Sequence, residues 1–532
     1  MACGAKGRAF ESRRVYQFVI QSVVYSINCV IIKPLSKKLV VILLDKASIK
    51  QYLLPLLKSW LYPALSLLLV IGFGTWFVFS IPPFQVPDEQ GHFARAYGIS
   101  EGRYVIQKSL NGRFGYRLPE SVMSFMLSYD SKLDTGNRNV SALNQHFKSV
   151  NFSDIKDQPT KEFDFENIAL YSPINYVPQS FGLNVAKALN LSIYDGFNLA
   201  RFCALMFFAI IVMASYALLP RRAWPLLFVL SALPSVVQQA ASFSADSFTN
   251  SVMLLFMAVM VRYGVSKRRE FDNWPAIAWV GATSLLLAFC KPVYVVFSLL
   301  SFVFIGRQII KKPILRYGVL AVIFIAAIGL AAWWNQQVAA IGLHYAVIQG
   351  RYDVQPEAQL AYILQMPFSY MNTLINTYLY DPVTNSVWLG GVIGKLGTRG
   401  PFLPVSFQIL AYLAIVVALL RTIKRGDNAE KQPLSGSLRT WQIIVTALIS
   451  LLVLFIVTTV LYLSYTALTQ DYVTGLQGRY FIPIALLLLC LPVWRKIPKL
   501  SINVRQQQLF IISVAIINLS LMAYAAGAYF MI

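Results

Sequence analysis

The chain has 532 residues, of which 57% are hydrophobic and only 13% charged, against about 25% charged in a typical soluble domain. Apolar runs of about 20 residues recur along it, each long enough to cross a ~30 Å hydrocarbon core as a helix, which excludes an ordinary soluble enzyme. The net charge of +23 would suit nucleic acid, but its distribution along the chain excludes that class as well.

Residues 1–60 form a basic extension with two apolar stretches, Tyr16–Ile32 and Leu39–Leu44. Lys and Arg flank the first on both sides, so it reads as an interfacial segment on an anionic leaflet rather than a span. The length ahead of the first strong span, with no small-residue cleavage site, does not match a cleavable signal peptide. From residue 61 a polytopic membrane domain begins. Eleven spans are predicted at about 61–80, 198–219, 223–241, 246–263, 274–290, 292–306, 315–336, 402–420, 441–465, 479–494 and 509–530. The piece at 82–197 is the largest non-spanning segment. A structureless loop of that length is improbable, so it is expected to fold as a small outer subdomain with short helices. It ends in Y-S-P-I-N-Y-V-P-Q-S-F-G (Tyr171–Gly182), a run of prolines and aromatics suited to an interface.

A second outer connection, 337–400, carries Arg351, Asp353, Glu357, Asp381 and the run Gly390–Gly397. That run lacks the spacing and the Ser/Thr of a phosphate-binding loop and reads as a glycine loop. No internal repeat of the kind seen in many transporters is visible. Cys3, Cys29, Cys203, Cys290 and Cys490 show no metal-binding spacing and suit packing better than disulfides.

Alternate connections carry Arg221-Arg222, Lys267-Arg268-Arg269, Lys311-Lys312, Arg421/Lys424/Arg425 and Arg495-Lys496. With residues 1–60 and the span ends on that side, they hold 29 of the 46 Lys and Arg but 6 of the 23 Asp and Glu. The remainder is 17 of each sign. The whole excess lies on one face, as expected of a cytoplasmic face. Eleven spans then put the N-terminus in the cytoplasm and the C-terminus outside.

The residues that suggest chemistry lie at the opposite face. Ile81–Ala96 reads I-P-P-F-Q-V-P-D-E-Q-G-H-F-A-R-A, placing Asp88 and Glu89 just beyond the first span. Carboxylates beside hydrocarbon are costly unless they have a partner or a task. Spacing alone admits two readings. In one, Pro87 and the acids open a helix. In the other, Asp88 is a general base that takes a proton from an attacking hydroxyl, help worth about 10²–10⁴ in rate. If the segment is helical, His92 and Arg95 follow Asp88 at one and two turns on the same face.

Lys291, in F-C-K-P-V-Y, and Arg479, in G-L-Q-G-R-Y-F-I-P, are isolated cations at the same boundary. A cation held there needs an anion, and a lipid-linked phosphate would serve. Arg201 is explained by snorkelling to the headgroups. Asp246, in S-F-S-A-D-S-F-T-N, is either the N-cap of the fourth span, the simpler reading, or a second polar contact. His92, His146 and His344 are too dispersed for zinc. Outer carboxylates can hold a divalent cation, though no metal motif names one. Asn139 and Asn151 begin glycosylation triplets that matter only in a eukaryotic secretory pathway.

P-P-F-Q-V-P-D-E-Q-G-H-F-A-R-A, Y-S-P-I-N-Y-V-P-Q, the S-A-D-S turn, K-P-V-Y and G-L-Q-G-R-Y-F-I-P occur in this order. Together they resemble the bacterial membrane proteins grouped as DUF2142, a domain of unknown function, from about Trp60 to the last spans. That family resembles a branch of the GT-C glycosyltransferases, polytopic enzymes that take sugars from polyprenyl-phosphate carriers and keep an acidic motif in the first outer loop. The resemblance implies an all-α GT-C-like fold in a bacterial inner membrane, with the acidic motif on Asp88 and Glu89. The expected activity is inverting sugar transfer from a polyprenyl-phosphate donor to a cell-envelope glycan or glycolipid acceptor. Asp88 would be the base, assisted by Glu89 and His92, with Arg95, Lys291, Arg479, Asp246 and Tyr171 contacting substrate or phosphate. A flippase for a lipid-linked glycan and a polysaccharide polymerase or ligase are the alternatives. The flippase would need ionisable groups deep in several spans. No cofactor is certain, and no nucleic-acid partner is expected.

Overall fold

A computed structural model describes residues 54–108, 114–134, 140–165, 168, 170–266, 273–306, 309–340, 354–380, 390–396, 400–422, 436–500 and 503–530. The basic extension up to residue 53, and with it Cys3 and Cys29, lies outside these residues, as do Asn139, His344, Arg351, Asp353 and Asp381. The chain divides into two compact units, Met1–Ala64 and Leu65–Ile532. The first contributes to the described residues only the opening turns of helix α1 (Leu54–Ser80).

The second unit is a multi-pass, mostly helical membrane protein. After α1 come α2 (Glu89–Ser100), β1 (Gln107–Lys108), β2 (Phe114–Pro119), α3 (Glu120–Asp134), α4 (Ser141–Lys148) and β3 (Thr160–Asp164). A 3-10 turn, Pro173–Tyr176, leads into α5 (Val177–Ala188) and the long α6 (Ile193–Leu218). Then follow α7 (Trp224–Ser231), α8 (Pro234–Ala240), α9 (Ala245–Val265), α10 (Asn273–Cys290), α11 (Leu300–Phe304) and α12 (Pro313–Ala340). The last helices are α13 (Pro356–Gln365), α14 (Pro367–Ile375), α15 (Val405–Leu419), α16 (Thr440–Tyr465) and α17 (Val504–Phe530).

All eleven expected spans fall on apolar helical segments, but these are unequal in length. Six are long and apolar enough to cross a membrane: Trp60–Ser80 of α1, then α6, α9, α12, α16 and α17. Helices α7 and α8 make a seventh only as a pair bent by 74°. The break has a local cause. Leu233 precedes Pro234 and is extended, at φ −63° and ψ 131°, as the proline ring requires of its predecessor. The segments Trp274–Cys290, Pro292–Phe304, Val405–Leu419 and Gly478–Val493 are shorter apolar helices. Composition fixes where these segments are apolar, whereas prolines and 3-10 turns fix where each regular helix stops.

Helix α9 is the central one. Its apolar window is 89% buried, against 22% for α12 and for α16, whose apolar faces remain uncovered by protein. Its first turns are nonetheless polar. Thr249 and Ser251 return their hydroxyls to the carbonyls of Ala245 and Ser247, at 2.9 and 2.8 Å, and Asn250 donates to Gln239 at 3.0 Å. Polar groups are thereby buried at low cost.

Between α1 and α6 the chain builds short helices, as expected, and also a small antiparallel sheet in the order β1-β2-β3. Gly115 pairs with both Gln107 and Asp164. A Cβ at that position would lie 1.8 Å from the Phe163 carbonyl oxygen. Gly115→Ala is therefore expected to push β2 from β3 and lower stability by about 1–3 kcal/mol, read as a fall in the thermal-unfolding midpoint in detergent. An unchanged midpoint would show that this strand pair is dispensable. Beneath the sheet lies an aromatic core. Phe84 packs edge-on against Phe197 and Phe125 at 5.0 and 5.1 Å, and Phe93 against Phe243 at 5.2 Å. Such pairs contribute about 0.5–1.5 kcal/mol each beyond area burial. They anchor the proline segment that leads into α2.

Candidate functional site

Two neighbouring acids in the chain, Asp88 and Glu89, have opposite surroundings. The Glu89 carboxylate is fully buried and accepts four hydrogen bonds. Oε1 takes the Arg201 Nε–H at 2.9 Å and the Phe243 N–H at 3.1 Å; Oε2 takes an Arg201 terminal N–H at 2.6 Å and the Phe84 N–H at 2.9 Å. Arg201 is equally buried and spends its remaining donors on the carbonyls of Val78, Ile81 and Pro82. One ion pair thus ties the end of α1, the proline segment, α6 and the turn before α9. Every lone pair and proton is used, the condition under which a buried ion pair is tolerable.

That tie sets the backbone of Asp88. Phe84 and Asp88 both adopt the left-handed region, at φ 66° and 60°, a conformation that a non-glycine residue keeps only when its surroundings over-determine it. Asp88 occupies the N-cap position of α2 but makes no side-chain cap bond. Its carboxylate turns away and meets Arg479 at 2.5 Å.

From there an alternating chain of charges extends. Arg479 also donates to the Pro87 carbonyl at 3.3 Å and lies 3.4 Å from Asp246, which receives the Lys291 ammonium at 2.6 Å. Two carboxylates and two cations balance. Asp88 is the exposed member, its side chain 37% accessible, against 9% for Arg479, 8% for Asp246 and 13% for Lys291. The Lys291 ammonium also faces two rings, Tyr480 at 4.4 Å and Tyr171 at 5.7 Å, in cation–π geometry. Asn175 donates to the Phe289 carbonyl at 2.8 Å and so fixes the end of α10 immediately before Lys291. Burial pushes the Asp88 carboxyl up, but the Arg479 guanidinium, with a smaller contribution from His92, holds the group below its ordinary value.

His92 closes the inner side. Its Nδ1 lies 2.7 Å from the Tyr176 hydroxyl, and burial pushes the imidazole down to about 4 despite Asp88 nearby. It is therefore neutral near pH 7. Because the unfolded chain binds this proton more tightly, at about 6.5, stability is complete above about pH 6.5 and falls as pH drops toward about 4. At about pH 5 the expected loss is about 2 kcal/mol. His92→Gln should flatten the thermal midpoint between about pH 7 and 5; an equally steep variant would place the loss elsewhere.

The structure corrects several expectations. Arg201 does not snorkel: it is the buried partner of Glu89. Ser244, not Asp246, caps α9, its hydroxyl accepting from the Asp246 N–H at 3.1 Å, which leaves the Asp246 carboxylate for the two cations. Glu89 has no lone pair to spare for substrate or metal. Arg95 faces the interior rather than the charge cluster, bonding the Tyr116 hydroxyl and the carbonyls of Tyr104 and Tyr171. It supports Tyr171 through the backbone. Among the described residues no three His, Cys, Asp or Glu side chains converge to hold a metal ion. Cys203, Cys290 and Cys490 are free thiols.

Four residues of the site were not singled out by sequence: Arg201 as a tie, Ser244, Tyr176 and Tyr480. Tyr176 sits inside the run noted for its prolines and aromatics, and Tyr480 directly follows Arg479 in the motif noted for that cation. The Tyr171–Gly182 motif also buries Tyr176 and Gln179 while exposing Val177 and Phe181.

Chemically, the cluster offers a solvent-reachable carboxylate, two sheltered cations that can take an anion, a neutral imidazole and aromatic walls. No curated protein and no solved structure matches this chain. The DUF2142 family pattern, described as a predicted membrane protein, matches residues 71–488. The chain, with its proline-framed acid pair and converging Lys291 and Arg479, belongs to the DUF2142 family.

Proposed function

We propose that the protein is an inverting, GT-C-like glycosyltransferase of a bacterial inner membrane. It moves a sugar from a polyprenyl-phosphate donor to a cell-envelope glycan or glycolipid. In this reading the chain crosses the bilayer eleven times, with the N-terminus cytoplasmic and the C-terminus outside. Alternation of the spans puts Asp88, Asp246, Lys291 and Arg479 at the same extracytoplasmic end. Residues 82–197 form the subdomain against which the acceptor docks.

One observation carries the proposal. Residues from four distant parts of the chain, 88, 246, 291 and 479, meet in one charge cluster with its carboxylate accessible. Lys291 and Arg479 bind the donor phosphate, and Tyr171 borders them. Asp88 takes the acceptor hydroxyl proton as that oxygen bonds to the anomeric carbon. The anomeric C–O bond breaks on the opposite face, and its electron pair leaves with the polyprenyl phosphate. Base assistance and charge stabilisation of a leaving phosphate are the two terms such a reaction needs. Glu89 and Arg201 position the base without touching substrate.

A lipid-linked-glycan transporter draws some support from the broken α7–α8 pair and the buried Gln239–Asn250 contact. The charged cluster, gathered at one helix end, favours surface chemistry over a polar path. Comparing envelope glycans of a deletion strain with its parent tests the proposal. One glycan should disappear and return with the wild-type gene but not with Asp88→Asn. Unchanged glycans would overturn it.

A further inference from the structure

Arg479 stands between the two acids, and its bonding in the resting site is lopsided. One terminal nitrogen donates to Asp88 at 2.5 Å and the other to the Pro87 carbonyl, while its buried Nε–H makes no hydrogen bond. The Asp246 oxygen 3.4 Å away is an ion-pair neighbour only, and Asp246 is already held by Lys291. Asp88 is the outermost of the four charges and Arg479 is nine-tenths buried. An anion approaching Arg479 from the accessible side must therefore contend with Asp88.

We propose that Arg479 is exchanged during turnover: Asp88 occupies it in the resting site, and the donor's phosphate takes it over, releasing Asp88 to act on the acceptor hydroxyl. This rests on the reading of Lys291 and Arg479 as the phosphate ligands.

The electrostatics follow from the groups around Asp88. Arg479 faces it from the 478–481 turn, His92 from α2 and Asp246 from α9, with Lys291 reaching Asp246 from the turn after α10. His92 is neutral near pH 7, so Arg479 is the charge that holds Asp88 ionised and inert. A carboxylate bound to a guanidinium is a poor base, because proton uptake would break that contact. The resting cluster is neutral, two charges against two. A phosphate adds negative charge, and the low-dielectric site restores balance most readily by raising the proton affinity of its exposed carboxylate. The base then becomes competent only when a donor is seated.

The test uses the purified full chain in detergent with farnesyl phosphate as probe. Infrared difference spectra, with Asp88→Asn as the assigning control, follow the Asp88 carboxylate band against pH. Saturating farnesyl phosphate should move its titration upward by about 1 pH unit or more, a tenfold gain in proton affinity. In Arg479→Gln the titration should lie high without the probe and not move with it; Arg479→Lys, which keeps the charge, should retain part of the response. Binding of farnesyl phosphate, seen as a tryptophan fluorescence change, without movement of the Asp88 band would overturn the exchange alone. Absence of binding would overturn the phosphate assignment and the exchange with it.

Discussion

Asp88→Asn is expected to lower sugar transfer by about 10²–10⁴-fold, the usual worth of a general base, while leaving the protein inserted and folded. The amide keeps the size of the carboxylate and can still accept from Arg479, so the left-handed turn at residue 88 survives. The Arg479 guanidinium also retains the Pro87 carbonyl and its Asp246 neighbour. The position is partly exposed, so exchanging acid for amide there has a modest effect on folding. Transfer of labelled sugar in membranes, measured beside expression level and thermal midpoint, separates the two effects. Full transfer activity in the variant would remove the central claim of the proposed mechanism.

Glu89→Ala, one residue further on, should have the reverse profile. It leaves the fully buried Arg201 guanidinium without a counter-charge and strips acceptors from the Phe84 and Phe243 amides. Removing one partner of a buried pair costs about 3–5 kcal/mol, so poor yield and a collapsed thermal midpoint are expected. The double variant Glu89→Leu/Arg201→Leu should recover part of that loss, because no charge is left stranded. It should not reach wild type, since the amides and the carbonyls of Val78, Ile81 and Pro82 still lose their partners. If Glu89→Ala folds normally but is inactive, Glu89 belongs to the chemistry rather than the scaffold. The two neighbours thus give a matched comparison, one change read mainly in rate and the other mainly in stability.

Much of this was legible in the sequence. Apolar length located the apolar helical segments that the structure shows, though not the short helices α2 to α5, α13 and α14, since burial in lipid constrains composition directly. The suspicion attached to Asp88, Lys291 and Arg479 also came from composition, because charges at a hydrocarbon boundary require partners. Segment lengths were less legible. The 74° break at Leu233 and the 3-10 turns around Lys291 and Arg479 depend on backbone geometry beside prolines, which an apolar run conceals. The β1-β2-β3 sheet was missed for a related reason: its strands span two to six residues, too short for a period-two pattern to stand out.

Which acid does what is a different kind of question. By sequence Asp88 and Glu89 are an adjacent pair, and Arg201 and Arg479 are two cations at similar boundaries. Sequence by itself determined a multi-pass helical membrane protein with an acid pair and isolated cations near helix ends, because hydropathy and charge are properties of each residue alone. Only the tertiary structure decided that Arg201 neutralises Glu89 while Arg479 and Lys291 join Asp88 and Asp246. Ionic pairing depends on distances of a few ångströms between residues 45 to 391 positions apart, and those distances are fixed by packing of the whole helical assembly.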